Sequence, residues 1–141
     1  MKKINLIIML LATLTISAQS VTEITYLDVP ATKIAKFVEL HKTITDMSMG
    51  EERTLQGQWV YRHWYGSGHS IVIRDVYKSV EDAMTDDAFA VLGKNYDALS
   101  DEKKKAMDGV FDEWWSYFDG HTDEMRMNNP EKDFVGKENV D

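Results

Sequence analysis

His63 has the most chemically suggestive setting in the chain, lying within Trp59-Val60-Tyr61-Arg62-His63-Trp64-Tyr65. On a strand, Trp59, Tyr61, His63 and Tyr65 share one face, and Arg62 and Trp64 share the other. An imidazole among tyrosines can act as a general base or a haem ligand. Its plainer role is a hydrogen-bonded histidine in a packed or interfacial aromatic patch. His41 falls on the inner side of a helix, one turn after Phe37 and Val38, where a satisfied core histidine competes with a ligand. His69, at a hairpin turn, reads as an exposed polar residue.

His121 is flanked by Asp119, Asp123 and Glu124. On a helix only pairs three or four apart converge, such as His121 and Glu124. That is too few ligands for zinc, and the Asp spacing does not make a calcium loop; no metal is expected. Trp114 and Trp115 are about 100° apart around a helix, so one turns inward with Phe111 and Phe118 while the other shields another element or marks a contact. Met47 and Met49 read as plastic core filler rather than a redox or copper site. Arg74 and Asp75 are adjacent on a strand, point to opposite faces and do not pair. No Gly-rich phosphate loop, Gly-x-Ser-x-Gly or His-Glu-x-x-His occurs, and no cofactor is called for.

The elements that must position these residues follow from periodicity. Val21 to Val29 is a β-rich strand ended by Pro30. Ala31 to Met47 carries Ile34, Phe37, Val38, Leu40, Ile44 and Met47 at three-and-four spacing, which predicts an amphipathic helix. Gln58 to Tyr65 and His69 to Tyr77 form a hairpin around Gly66-Ser67-Gly68. Ser79 caps a helix reaching to about Leu99, with a break near Thr85-Asp86-Asp87. Ser100 opens a last helix with the stripe Met107, Val110, Phe111, Trp114, Tyr117, Phe118 and His121, extending to Met125 and stopped by Asn128-Asn129-Pro130.

Residues 1–20 read as a secretory signal peptide: Lys2 and Lys3, a short apolar run, then Ser17-Ala18-Gln19-Ser20. The run is short for a bilayer, which needs roughly 20 apolar residues, so no membrane span is expected after cleavage. A single domain over 21–127 and a loose tail over 128–141 follow, in a protein exported to the periplasm or beyond the cell. The absence of cysteine rules out thiol catalysis, thiolate metal sites and a lipidated cysteine after the leader. Residues 21–78 carry seven acids and seven bases, whereas residues 79–141 carry seventeen acids and seven bases. That acidic half repels nucleic acid and anionic membranes.

The strand Ile24-Thr25-Tyr26-Leu27-Asp28-Val29-Pro30 running into the helix Lys33-Ile34-Ala35-Lys36-Phe37-Val38-Glu39-Leu40 is one half of a recognisable pattern. The other half is Arg62-His63-Trp64-Tyr65-Gly66-Ser67-Gly68 followed by the strand-to-helix step Asp75-Val76-Tyr77-Lys78-Ser79-Val80-Glu81-Asp82-Ala83. Together, over residues 22–99, the chain resembles the dimeric α+β barrel superfamily of ferredoxin-like folds. The resemblance implies an antiparallel sheet with helices on one face and a second copy on the other. It covers small oxygenases, haem-handling enzymes and members with no assigned activity. The helix from Ser100 is an addition to that pattern, and no catalytic motif matches.

The expected fold is therefore α+β, ferredoxin-like, with an added C-terminal helix. The expected protein is a homodimer binding a small apolar or aromatic molecule through Trp59, Tyr61, His63 and Tyr65, with His41 a further candidate. A small oxygenase or haem-handling enzyme using His63 or His41 is the catalytic alternative. An envelope interaction protein that docks through its acidic C-terminal helix is the third.

Overall fold

The first strand stops at Leu27, three residues before Pro30 and short of the expected Val29, in the computed structural model, which describes residues 19–129. Strand β1 is Val21–Leu27, and after a 3-10 turn at Ala31–Lys33 the chain enters helix α1, Ile34–Met47. Strands β2 (Leu55–Arg62) and β3 (Ile71–Tyr77) make the expected hairpin, with β2 beginning and ending about three residues earlier than the aromatic run suggested. Helices α2 (Val80–Thr85), α3 (Ala88–Asp97) and α4 (Asp101–Trp115) follow. The break at Asp86 and Asp87 is real: Ser79 Oγ caps α2 by accepting from Asp82 N, and Asp87 caps α3 by accepting from Ala90 N.

The last element differs from the expected helix through Met125. The helix ends at Trp115, tightens into a 3-10 turn at Ser116–Phe118, and reverses at Gly120, whose φ of 72° only glycine adopts without strain. Thr122–Met127 is then a fourth strand, β4, antiparallel to β1 from Val21↔Met127 to Tyr26↔Thr122. Without it, the outer side of β1 would carry unpaired N–H and C=O groups, which a strand edge satisfies by pairing. Side chains support the register: Thr25 Oγ1 donates to Asp123 at 2.6 Å, and the Tyr26 hydroxyl donates to Glu124. Asn128 N donates to Ser20 O at 2.9 Å, carrying the pairing past both strands. Otherwise the expected leader and tail lie outside the described residues.

The sheet order is β2-β3-β1-β4, antiparallel throughout, which is the ferredoxin-like α+β arrangement. Strand alternation gives it two unlike faces. The helix side carries Leu27, Ile71 and Ile73, sealed by Ile34, Phe37, Leu40 and Ile44 of α1 and by Trp114 of α4. Further along, the same side carries polar groups, Glu23 opposite Asp75 and Gln58 opposite Asp75 on the other flank. The reverse side carries Trp59, Tyr61, Val72, Arg74 and Ile24, and no described helix covers it. Among the described residues no helix is long and apolar enough to cross a membrane.

Candidate functional site

A cavity of about 420 Å³ opens between the polar end of the helix side and the helices above it. Its floor is the sheet: Glu23, Thr25, Gln58, Ile73 and Asp75. His41 and Ile44 of α1 form one wall, and Phe89, Trp115 and Phe118 form the other. The helices leave this gap because α3 and α4 pack against α1 rather than flat on the sheet, through buried Val91, Leu92 and Trp114.

The polar groups of the cavity are wired in sequence. Trp114 Nε1–H donates to His41 Nδ1 at 3.1 Å, and an indole nitrogen can only donate. His41 Nδ1 therefore carries no proton, so its Nε2–H donates to Gln58 Oε1 at 3.0 Å. Burial pushes the His41 pKa down, in keeping with a neutral ring. Thr45 Oγ1 also donates to Gln58 Oε1, at 2.9 Å. With its carbonyl committed to α1, the Gln58 amide nitrogen is turned toward Asp75.

Asp75 ends this chain. Burial pushes its carboxyl up to about 6; the Gln58 amide works against that rise, and the neighbouring charge of Glu23 adds to it. Its Oδ1 is buried and accepts no hydrogen bond. Glu23, the cross-strand partner of Asp75, is raised too, by burial first and by Asp123 second. Like charges directly opposite on a sheet disfavour each other, so the pair holds onto protons that isolated carboxyls would lose.

The far end of the cavity is closed by an ion pair. Arg53 Nε reaches both Asp86 oxygens at 2.9 Å and its Nη2 lies 2.7 Å from Oδ2, with side-chain exposures of 7% and 3%. Thr54 N donates to Asp86 Oδ1 at 2.8 Å. Burial opposes the charge on Asp86, but the Arg53 and Thr54 hydrogen bonds outweigh it and hold its pKa low. At the rim, His121 Nε2 lies 3.1 Å from Asp123 Oδ2. His121 precedes a strand instead of lying on a helix, and among the described residues no group of three or more His, Asp or Glu is placed to hold a metal.

The residues singled out by sequence fall in three places. Trp59 and Tyr61 share the reverse face, 46% and 47% exposed, with the Arg74 guanidinium 5.5 Å from the Trp59 ring centre. His63 and Tyr65 lie beyond β2 at the hairpin end, where His63 Nε2 is 3.0 Å from Gly66 O and Tyr65 is 93% exposed. His41 is on the opposite side of the sheet from Trp59 and Tyr61, in the cavity. Sequence reasoning missed Gln58, Glu23 and Asp75. Their signal was parity: Asp75 alternates in step with Ile71, Ile73 and Tyr77, all buried. Replacing Trp114 by Phe is expected to cost about 2 kcal/mol in urea unfolding, because His41 Nδ1 loses its donor in a dry site. An unchanged midpoint would mean that the indole N–H is not bonded there.

The fold and cavity define a ferredoxin-like α+β domain with a pocket between sheet and helices. No family model matches the chain, and no curated protein matches it. Similar solved structures include a dimeric ferredoxin-like protein from an uncultured marine organism, at 8% identity and TM-score 0.48, covering 85% of this chain and 94% of that one. A dimeric ferredoxin-like protein of unknown function from Bacteroides fragilis matches at 10% identity and TM-score 0.43, covering 77% and 96%. A cofactor-independent oxygenase from Streptomyces nogalater matches at 11% identity and TM-score 0.42, covering 87% and 98%. Identities and TM-scores this low transfer no chemistry to this chain.

Proposed function

We propose that the protein is an exported, homodimeric small-molecule-binding protein whose ligand occupies the cavity between the sheet and α1, α3 and α4. One observation carries the reading: a cavity of about 420 Å³ with aromatic walls and a few convergent polar groups on its floor. Ligand sites have this make-up, apolar lining with few well-placed polar groups and volumes of roughly 300–1,000 Å³. Export rests on the leader-like first twenty residues. Dimerisation rests on the half-exposed Trp59 and Tyr61 of the reverse face, which a second copy would cover. The four aromatic and histidine candidates around Trp59 then belong to the dimer contact and its hairpin rim, and His41 to the ligand site.

The test is a titration with phenethyl alcohol, followed by tryptophan fluorescence in a Trp59→Phe, Trp64→Phe background that leaves Trp114 and Trp115 as the reporters. Saturable binding at one site per chain is expected, with Kd on the order of 1 mM for so small a probe. Ala88, which lines the cavity, replaced by Phe should weaken it by about tenfold while the far-ultraviolet spectrum holds. Linear, non-saturating quenching would sink the reading.

A catalytic reading, a small oxygenase needing no cofactor, has Asp75 in its favour, since a carboxyl pushed up to about 6 beside an aromatic cavity suits acid–base work. Haem ligation through His41 does not fit, because both ring nitrogens are already engaged, by Trp114 and by Gln58. Docking through the C-terminal helix has its acidic outer side and the half-exposed Trp115 to offer, as Trp114, Met107, Val110 and Phe111 are committed to the core.

A further inference from the structure

We propose that the cavity takes an organic cation, an amine carried on an aromatic or apolar body. The inference rests on the binding reading above and names its ligand class. Charge is the first support. Glu23 and Asp75 face each other on the floor, with Asp123 beside them on β4. Arg53 is the sole Lys or Arg among the lining residues described, and it is already neutralised by two hydrogen bonds to Asp86. His41 accepts from Trp114 and stays uncharged, and His121 at the rim faces Asp123. The lining therefore offers negative charge without a free positive partner, which favours a cation and repels a carboxylate or phosphate.

The unpaired acceptor is the second support. Asp75 Oδ1 is buried with no donor, beside Gln58, whose carbonyl oxygen is held by His41 and Thr45 while His41 is held by Trp114. A buried carboxylate oxygen that the chain leaves without a donor is completed by one from outside it. An ammonium group brings up to three donors and the matching charge, giving the stronger, charge-assisted bond. The walls are the third support. Trp115, Phe118 and Phe89 give the cavity an aromatic wall for the apolar body that carries the cation.

The probes are phenethylamine, phenethyl alcohol and phenylpropionate, similar in size and differing in charge, titrated calorimetrically into the protein at neutral pH. Phenethylamine should bind at least about tenfold tighter than the alcohol, and phenylpropionate should not saturate. Asp75→Asn should bring the amine to the level of the alcohol in the same variant. Glu23→Gln, which leaves Asp75 in place, should reduce the preference without abolishing it. Equal binding of amine and alcohol, or a full preference surviving in Asp75→Asn, overturns the cation assignment while the pocket stands. If none of the three binds, the pocket reading falls and the assignment with it.

Discussion

Replacing Arg53 by methionine is expected to remove about 3–5 kcal/mol of folding free energy, the largest single-site loss outside the apolar core. The guanidinium ties three segments together: Asp86 between α2 and α3, the end of α1 through Ser48 O at 2.8 Å, and its own loop before β2. Both side chains of the pair are nearly buried. Methionine fills similar space but strands the Asp86 carboxylate with the neutral donors Thr54 N, Thr54 Oγ1 and, at 3.4 Å, the Tyr77 hydroxyl. A domain a little over 100 residues moves by about 4 °C per kcal/mol, so the melting temperature should fall by roughly 12 °C or more.

The sign of the pH dependence gives a second readout of the same variant. Asp86 is held below the ordinary carboxyl range in the folded state. Its contribution is therefore present above its unfolded pKa and is lost as pH falls through its folded value. In Arg53→Met that acid-side loss should shrink, since Arg53 supplies both a hydrogen bond and the opposite charge while Thr54 supplies the remaining hydrogen bonds that lower Asp86. The double variant Arg53→Met with Asp86→Leu should recover part of the lost stability, because no charge is then left buried alone. A single-variant loss below about 1 kcal/mol in urea unfolding would mean that the pair behaves as a surface one.

What could be read from the sequence follows physical reach. Helix α1 was legible because Ile34, Phe37, Leu40 and Ile44 repeat on one face, and the Asp86-Asp87 break because aspartate caps helices. Strand β4 was not. Met107, Val110, Phe111, Trp114 and Phe118 hold a helical period up to the 3-10 turn, and Gly120 alone announces the reversal. Thr122-Asp123-Glu124-Met125-Arg126-Met127 has little intrinsic strand preference; it is a strand because β1 has an open edge beside it. The site was hidden for a related reason. Aromatic density drew attention to Trp59, Tyr61, His63 and Tyr65, which are local in sequence and lie on or beside the reverse face. The cavity brings together Glu23, His41, Gln58, Asp75 and Trp114 from five elements, and no local pattern encodes where helices stand off a sheet. Strand parity was the one usable clue, since a lone carboxyl in step with Ile71 and Ile73 has to face the helices.

Asp75→Asn is expected to do the opposite of Arg53→Met and stabilise the protein, by about 2 kcal/mol at about pH 8. Asp75 ordinarily titrates at 3.8 and is pushed up to about 6 here, chiefly by burial. A folded pKa above the unfolded one means that stability is fully present below about pH 4 and lost as pH rises toward about 6. Glu23, also raised, acts in the same sense. The asparagine side chain keeps the shape and has no charge to bury, so the two proteins should unfold alike below about pH 4 and diverge above it. Subtracting the two stability curves isolates Asp75 from Asp86, whose effect has the opposite slope and is common to both. A difference that is flat from about pH 4 to about pH 8, or that favours the aspartate, would remove the buried charge from the account. Stability gained and amine preference lost in the same variant would have one cause: a carboxylate oxygen that the fold buries without a donor, at a cost that a donor from outside relieves.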